Sequence, residues 1–182
     1  MVVGCDGTNV NTGVSSGAIR LLEIELKRPL QWFICMLHIN ELPLRHILLK
    51  LDGVTTGPRA FSGRIGKAIQ DCEKLPILTF AAIDGPDLPA LSKDIDLSTD
   101  QRYLYDMCCS IKTGKCDDDL ANKKPGPVNH SRWLTTATRI LRLYVATEKP
   151  SKKLMTLSSY VVKVYVPVWF SIKTKWSCIH GA

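Results

Sequence analysis

The chain lacks most of the features that would assign a compartment or a chemistry at sight. No basic start, apolar middle and small-residue cleavage site stand at its N-terminus, so nothing reads as a secretory signal. Its longest apolar stretch, residues 161–172, is interrupted by Lys163 and Pro167 and is too short and polar to predict a membrane span. The seven cysteines follow no regular spacing, which excludes a disulfide framework and predicts reduced thiols in the nucleus or cytoplasm. The glycine-bearing turns at residues 4–7 and 63–67 lack the spacing of a phosphate-binding loop. Cys35 and His38 stand at zinc-ligand spacing, but a structural zinc needs four ligands and no second pair is suitably spaced; Cys178 and His180 are only two apart. A Cys35–His130 hydrolase would lack both an orienting acid and an oxyanion hole. There are no internal repeats.

What remains is a chain of 182 residues with 45% hydrophobic content, enough for one domain with a packed core. Its charge is uneven. Up to residue 100 there are ten Lys and Arg against twelve Asp and Glu; beyond it there are fourteen against five. The second half is therefore where a polyanion would bind, unless those cations are simply a solvated surface.

The apolar pattern predicts a buried strand at residues 2–5 and a second strand at 31–35, rich in aromatic and β-branched residues. Between them, residues 15–27 read as a helix capped by Ser15 or Ser16, with Ala18, Ile19, Leu22 and Leu26 on one face. Residues 37–51 are helical, with Pro43 marking a kink or break. Ser62 opens a helix to about residue 73, residues 78–83 are a candidate strand, and Ser98 caps a helix over 99–111. Residues 113–127 form a polar loop. The helix predicted at 131–147 sets Leu134, Ala137, Ile140, Leu141, Tyr144 and Val145 on one side and Arg132, Thr135, Arg139 and Arg142 on the other. That arginine stripe suits phosphate contact, and its bland alternative is a solvated helix face. In residues 151–173, Leu154, Leu157, Val161, Tyr165 and Val168 can form a helical face, against a β-branched run at 160–168 and Pro167.

The most informative stretch is Cys5-Asp6-Gly7-Thr8-Asn9-Val10-Asn11, which delivers a carboxylate from a short strand into a polar turn. Cys35, His38 and Asn40 follow the second strand, and Arg132-Trp133 opens the long helix. In this order the three elements resemble the hAT-type DNA transposases and the cellular proteins derived from them, over residues 1–144. Glu41-Leu42 departs from the family pattern, where a leucine directly follows the asparagine. The resemblance implies an RNase H-like core with Asp6 as the second of three metal-binding carboxylates. Asn9, Asn11, Cys35 and His38 become its structural motif, and Trp133 an aromatic near the DNA, against the plainer reading of Trp133 as a core residue bordering the apolar face of its helix. Such a core clamps two divalent metals between three carboxylates. Only five residues precede Asp6, and Glu148 stands too close to the Arg-Trp pair to serve as the third carboxylate. A lone carboxylate holds Mg²⁺ weakly. Helix over residues 151–173 is what the resemblance implies there.

The expectation is an α/β, mostly helical chain: a partial RNase H-like β-α-β unit in residues 1–55, then a mainly helical insertion region in 56–182. It is read as a catalytically incomplete fragment with Asp6 vestigial. No cofactor is expected, Mg²⁺ belonging only to a complete catalytic core. Nucleic-acid contact is assigned to Arg132, Trp133, Arg139 and Arg142. DNA, a protein partner or a second copy are its candidate partners, and no membrane is expected. Two other readings stay open: a helical protein-interaction module, and a metal-dependent nuclease whose missing carboxylates come from elsewhere.

Overall fold

The computed structural model describes residues 2–55, 60–92, 95–126 and 132–175. Two apolar tetrapeptides, β1 (Val2–Cys5) and β2 (Gln31–Ile34), pair in parallel in the register Val2 with Gln31 through Cys5 with Ile34. Parallel neighbours need a crossover, supplied here by a single turn, α1 (Asn9–Thr12), and by α2 (Ala18–Leu26). α2 starts later than its serines predict. Gly17 stands at its N-terminus with no side-chain cap, and Lys27 ends it in the left-handed region at φ 51°. The predicted apolar face of α2 is largely open: Ile19 is buried, whereas Leu22 and Leu26 are exposed. Glu23 anchors the helix, because its carboxylate accepts from the Leu30 backbone N–H and from the Trp32 indole. Strand alternation puts Val2, Gly4, Gln31 and Phe33 on one sheet face, and Val2 and Phe33 there are 65% and 45% exposed.

The core lies in the helices. α3 (Met36–Asp52) is one helix with Pro43 inside it, which corrects the predicted break into two short helices. One lost backbone donor is outweighed because both halves are held: Asn40 donates to the Tyr165 carbonyl at 3.1 Å, and Leu44 and Leu48 are buried. A short α4 (Arg64–Ala68) and a 3₁₀ turn (Cys72–Lys74) replace the longer helix expected from Ser62. α5 (Thr99–Thr113) starts at Ser98 as predicted, with a reciprocal capping box to Gln101, and ends at Gly114 with φ 71°. The acidic run folds into a single turn, α6 (Asp118–Asn122), within the predicted loop. α7 (Arg132–Val145) packs mainly on α5, and also on α3 and on α8 (Lys152–Tyr160).

α8 continues through a π-helical turn (Val161–Tyr165) into α9 (Val166–Thr174). There the Val166 N–H bonds five residues back, to Val161. The wider turn makes room for Pro167, whose ring would otherwise meet the carbonyl four residues before it. The combined helix, Lys152–Thr174, is long and apolar enough to cross a bilayer by length and composition, unlike the shorter run read from the sequence. More than half of its apolar window is packed inside the helical bundle, the environment of a core helix.

No ladder forms at residues 78–83 among the described residues, so the candidate strand is corrected to an irregular strap. Helix ends and a side chain hold it at three backbone groups instead. The Leu78 N–H donates to the Val145 carbonyl and the Ile83 N–H to that of Ile111, while the Tyr144 hydroxyl donates to the Ala81 carbonyl at 2.7 Å. Lys112 and Tyr105 hold its later part through the Pro86 and Pro89 carbonyls.

Candidate functional site

The Asp-turn folds because its side chain replaces backbone partners that a tight turn cannot provide. Asp6 Oδ1 accepts from the Thr8 backbone N–H at 3.1 Å, the Thr8 hydroxyl at 2.6 Å and Asn11 Nδ2 at 2.7 Å. Donation from Thr8, first by its hydroxyl and then by its backbone, and after it from Asn11, holds the Asp6 carboxyl below the usual carboxylate range. Cys35 continues the parallel ladder, its N–H donating to the Cys5 carbonyl at 2.9 Å, and stands at the N-terminus of α3. One turn further on, the His38 ring lies against Gly7. A Cβ on that glycine would lie 3.0 Å from His38 Cδ2 and 3.3 Å from Ile34 Cγ2, so any side chain there would press on the His38 ring. Asp6, Asn11, Cys35 and His38, separated in sequence, thus gather at the carboxyl end of the strand pair. Asn9 sits in α1 with an exposed side chain, and its carbonyl accepts from Gly13.

A two-metal centre does not fit these residues. One oxygen of Asp6 already takes three donors, and no group of three His, Cys, Asp or Glu side chains converges anywhere among the described residues. The Cys35–His38 pair is likewise only two potential zinc ligands. His130, Cys178 and His180 lie outside the described residues.

The arginine stripe of α7 is corrected. Arg139 is 4% exposed and Arg142 is 3%, and Thr135 on the same side is fully buried. The helix is packed all round because the segment carrying α4 and the 3₁₀ turn covers the side that sequence periodicity assigned to solvent. Arg139 bridges that segment. Its Nη1 donates to the Ile69 carbonyl at 2.7 Å, the Gln70 carbonyl at 2.9 Å and the Glu73 carboxylate at 2.9 Å, and its Nε donates to Gly126 at 2.9 Å. Arg142 donates from Nη2 to the Leu75 carbonyl, and its buried Nε and Nη1 have no partner among the described residues. Neither guanidinium can reach a phosphate without unfolding its surroundings. Trp133 is buried in the core cluster. The structure places Arg132 at the first position of α7 and describes nothing of its side chain.

Sequence reasoning missed Thr8, although Asp-x-Thr is the spacing at which an aspartate side chain closes a turn. It also missed Asp52, which accepts from the Ile65 and Gly66 N–H groups at 2.9 and 2.6 Å and so caps α4 across a connecting loop. Local spacing carries no signal for that contact. Glu41, in the second turn of α3, is pushed up to about 7 by burial.

Known protein families, curated proteins and solved structures were compared with the chain. None matches it. Function is therefore argued from the geometry.

Proposed function

We propose that the chain is a transposase-derived, RNase H-like unit with part of its helical insertion, without nucleotidyl-transfer activity of its own, that acts by binding. The observation that carries this reading is the convergence of Asp6, Asn11, Cys35 and His38 at the carboxyl end of parallel β1 and β2. That is where an open parallel sheet presents its chemistry. The catalytic deficit rests on donor chemistry: one carboxylate, already engaged by Thr8 and Asn11, cannot clamp two metals across a phosphodiester. The assignment to this ancestry is an analogy of fold and motif, and it locates no DNA contact.

A second reading, a helical protein-interaction module, is favoured by the burial of Arg139 and Arg142. It is favoured also by the exposed apolar side chains of the N-terminal unit, among them Val2, Leu21, Ile24 and Phe33. Duplex binding that falls steeply with salt separates the first reading from the second.

Plasmid nicking with Mg²⁺ or Mn²⁺ tests the catalytic part. Wild type and Asp6→Asn are both expected to leave the substrate intact. Cleavage by wild type that disappears in Asp6→Asn would overturn the inactive reading and require carboxylates supplied by a second chain.

A further inference from the structure

We infer that the depression between α4 and the start of α8 is a binding site for a phosphate group. This inference stands apart from the transposase-derived reading. The depression has a volume of about 640 Å³, within the range of small-ligand pockets. Arg64 comes from the first residue of α4, Lys149 from the α7–α8 connection and Lys153 from the first turn of α8. Three cations from three chain segments thus line one concavity. All three are exposed, and none has a salt-bridge partner among the described residues.

The other polar groups of the wall are already engaged within the fold. Asp52, its only acidic residue among the described ones, has its two oxygens on the backbone N–H groups of Ile65 and Gly66. The Thr147 hydroxyl donates to the Leu143 carbonyl at 2.6 Å, and the Ser151 hydroxyl accepts from the Leu154 N–H. The cations are the groups left free to take a ligand.

The contrast with another depression, between α5 and α6, selects this one. That cavity, of about 660 Å³, is lined by Asp106, Asp117 and Asp119 against Lys115 and Lys123, so its net charge is acidic. A concavity lined mainly by one sign of charge focuses the field and raises the local concentration of an oppositely charged ligand. A phosphate suits the set, because the guanidinium fork of Arg64 can take two of its oxygens while the lysines act as point charges. A nucleotide-like small molecule and a nucleic-acid backbone both present that group.

The test uses two probes on the full chain: pyrophosphate by calorimetry, and a short fluorescent duplex of random sequence by anisotropy at low salt. Wild type is expected to bind at least one of them. The triple variant Arg64→Gln, Lys149→Gln, Lys153→Gln should bind at least about tenfold more weakly, with a shallower salt dependence for the duplex. The pair Lys115→Gln, Lys123→Gln, in the acidic depression, should stay within about twofold of wild type. The three substituted side chains make no hydrogen bond within the described fold, so thermal unfolding of the triple variant should match wild type. Each single glutamine variant should show a part of the loss. Loss of pyrophosphate binding identifies a free phosphate ligand, and loss confined to the duplex identifies a backbone. Equal affinity of the triple variant and wild type for both probes, or no binding of either by wild type, overturns the site.

Discussion

Arg139→Ala is expected to destabilise the fold by about 3–5 kcal/mol, the range for breaking a buried, hydrogen-bonded charge pair. Arg139 is 4% exposed, and its guanidinium gathers the Ile69, Gln70 and Gly126 carbonyls together with the Glu73 carboxylate. Alanine leaves those acceptors facing a void, and each buried, unsatisfied acceptor costs about 1–3 kcal/mol. Lysine keeps the charge but lacks the fork, so Arg139→Lys should recover only part of the loss. Urea unfolding of the two variants measures both effects. A shift below about 0.5 kcal/mol for Arg139→Ala, the size of an ordinary surface substitution, would mean that the guanidinium is solvated. The same result would return Arg139 to the set of candidate phosphate contacts.

Phe170→Ala should have an effect of similar size, about 3–5 kcal/mol, from lost burial and the cavity left behind. The ring is fully buried in α9 and packs edge-on against Tyr105 at 5.0 Å and Trp169 at 4.9 Å. It therefore joins α9 to α5. Phe170→Leu keeps most of the volume and should cost less than the alanine variant. If the alanine variant unfolds at the wild-type denaturant midpoint, α9 is not part of the core, and Lys152–Thr174 would have to be accounted for otherwise.

These two sites show where sequence was a sufficient guide and where it was not. The strand–turn–helix–strand order was legible because short apolar runs bracketed by Gly, Asn and Pro carry their own periodicity. Ser98 was legible as a cap for the same local reason, while its reciprocal partner Gln101 was added by the structure, although a capping box is written within four residues. The helix at residues 152–174 could be anticipated, but its π turn before Pro167 depends on packing that keeps both halves helical. Arg139 misled because helical periodicity reports which side is apolar, and a covering segment can meet the other side with carbonyls and a carboxylate. Those partners lie more than ten residues away at the nearest, at Gly126, and 66 to 70 residues away for the rest. Spacing does not encode such contacts. At the site, Asp6, Asn11, Cys35 and His38 could be named from motif order. The Thr8 hydroxyl on the same carboxylate oxygen was missed, although the Asp-x-Thr spacing was there to be read.

The central claim is that the carboxyl end of the β1–β2 pair holds one engaged carboxylate and not a metal centre. Titration with Mn²⁺, followed by paramagnetic broadening of backbone amide signals, tests it most directly. Broadening at Gly7 and Thr8 is expected only at about millimolar Mn²⁺, as for a single weak carboxylate, and should be lost in Asp6→Asn. Saturation at about micromolar Mn²⁺, with two ions bound per chain, would contradict it, because only several converging carboxylates hold a pair of ions that tightly.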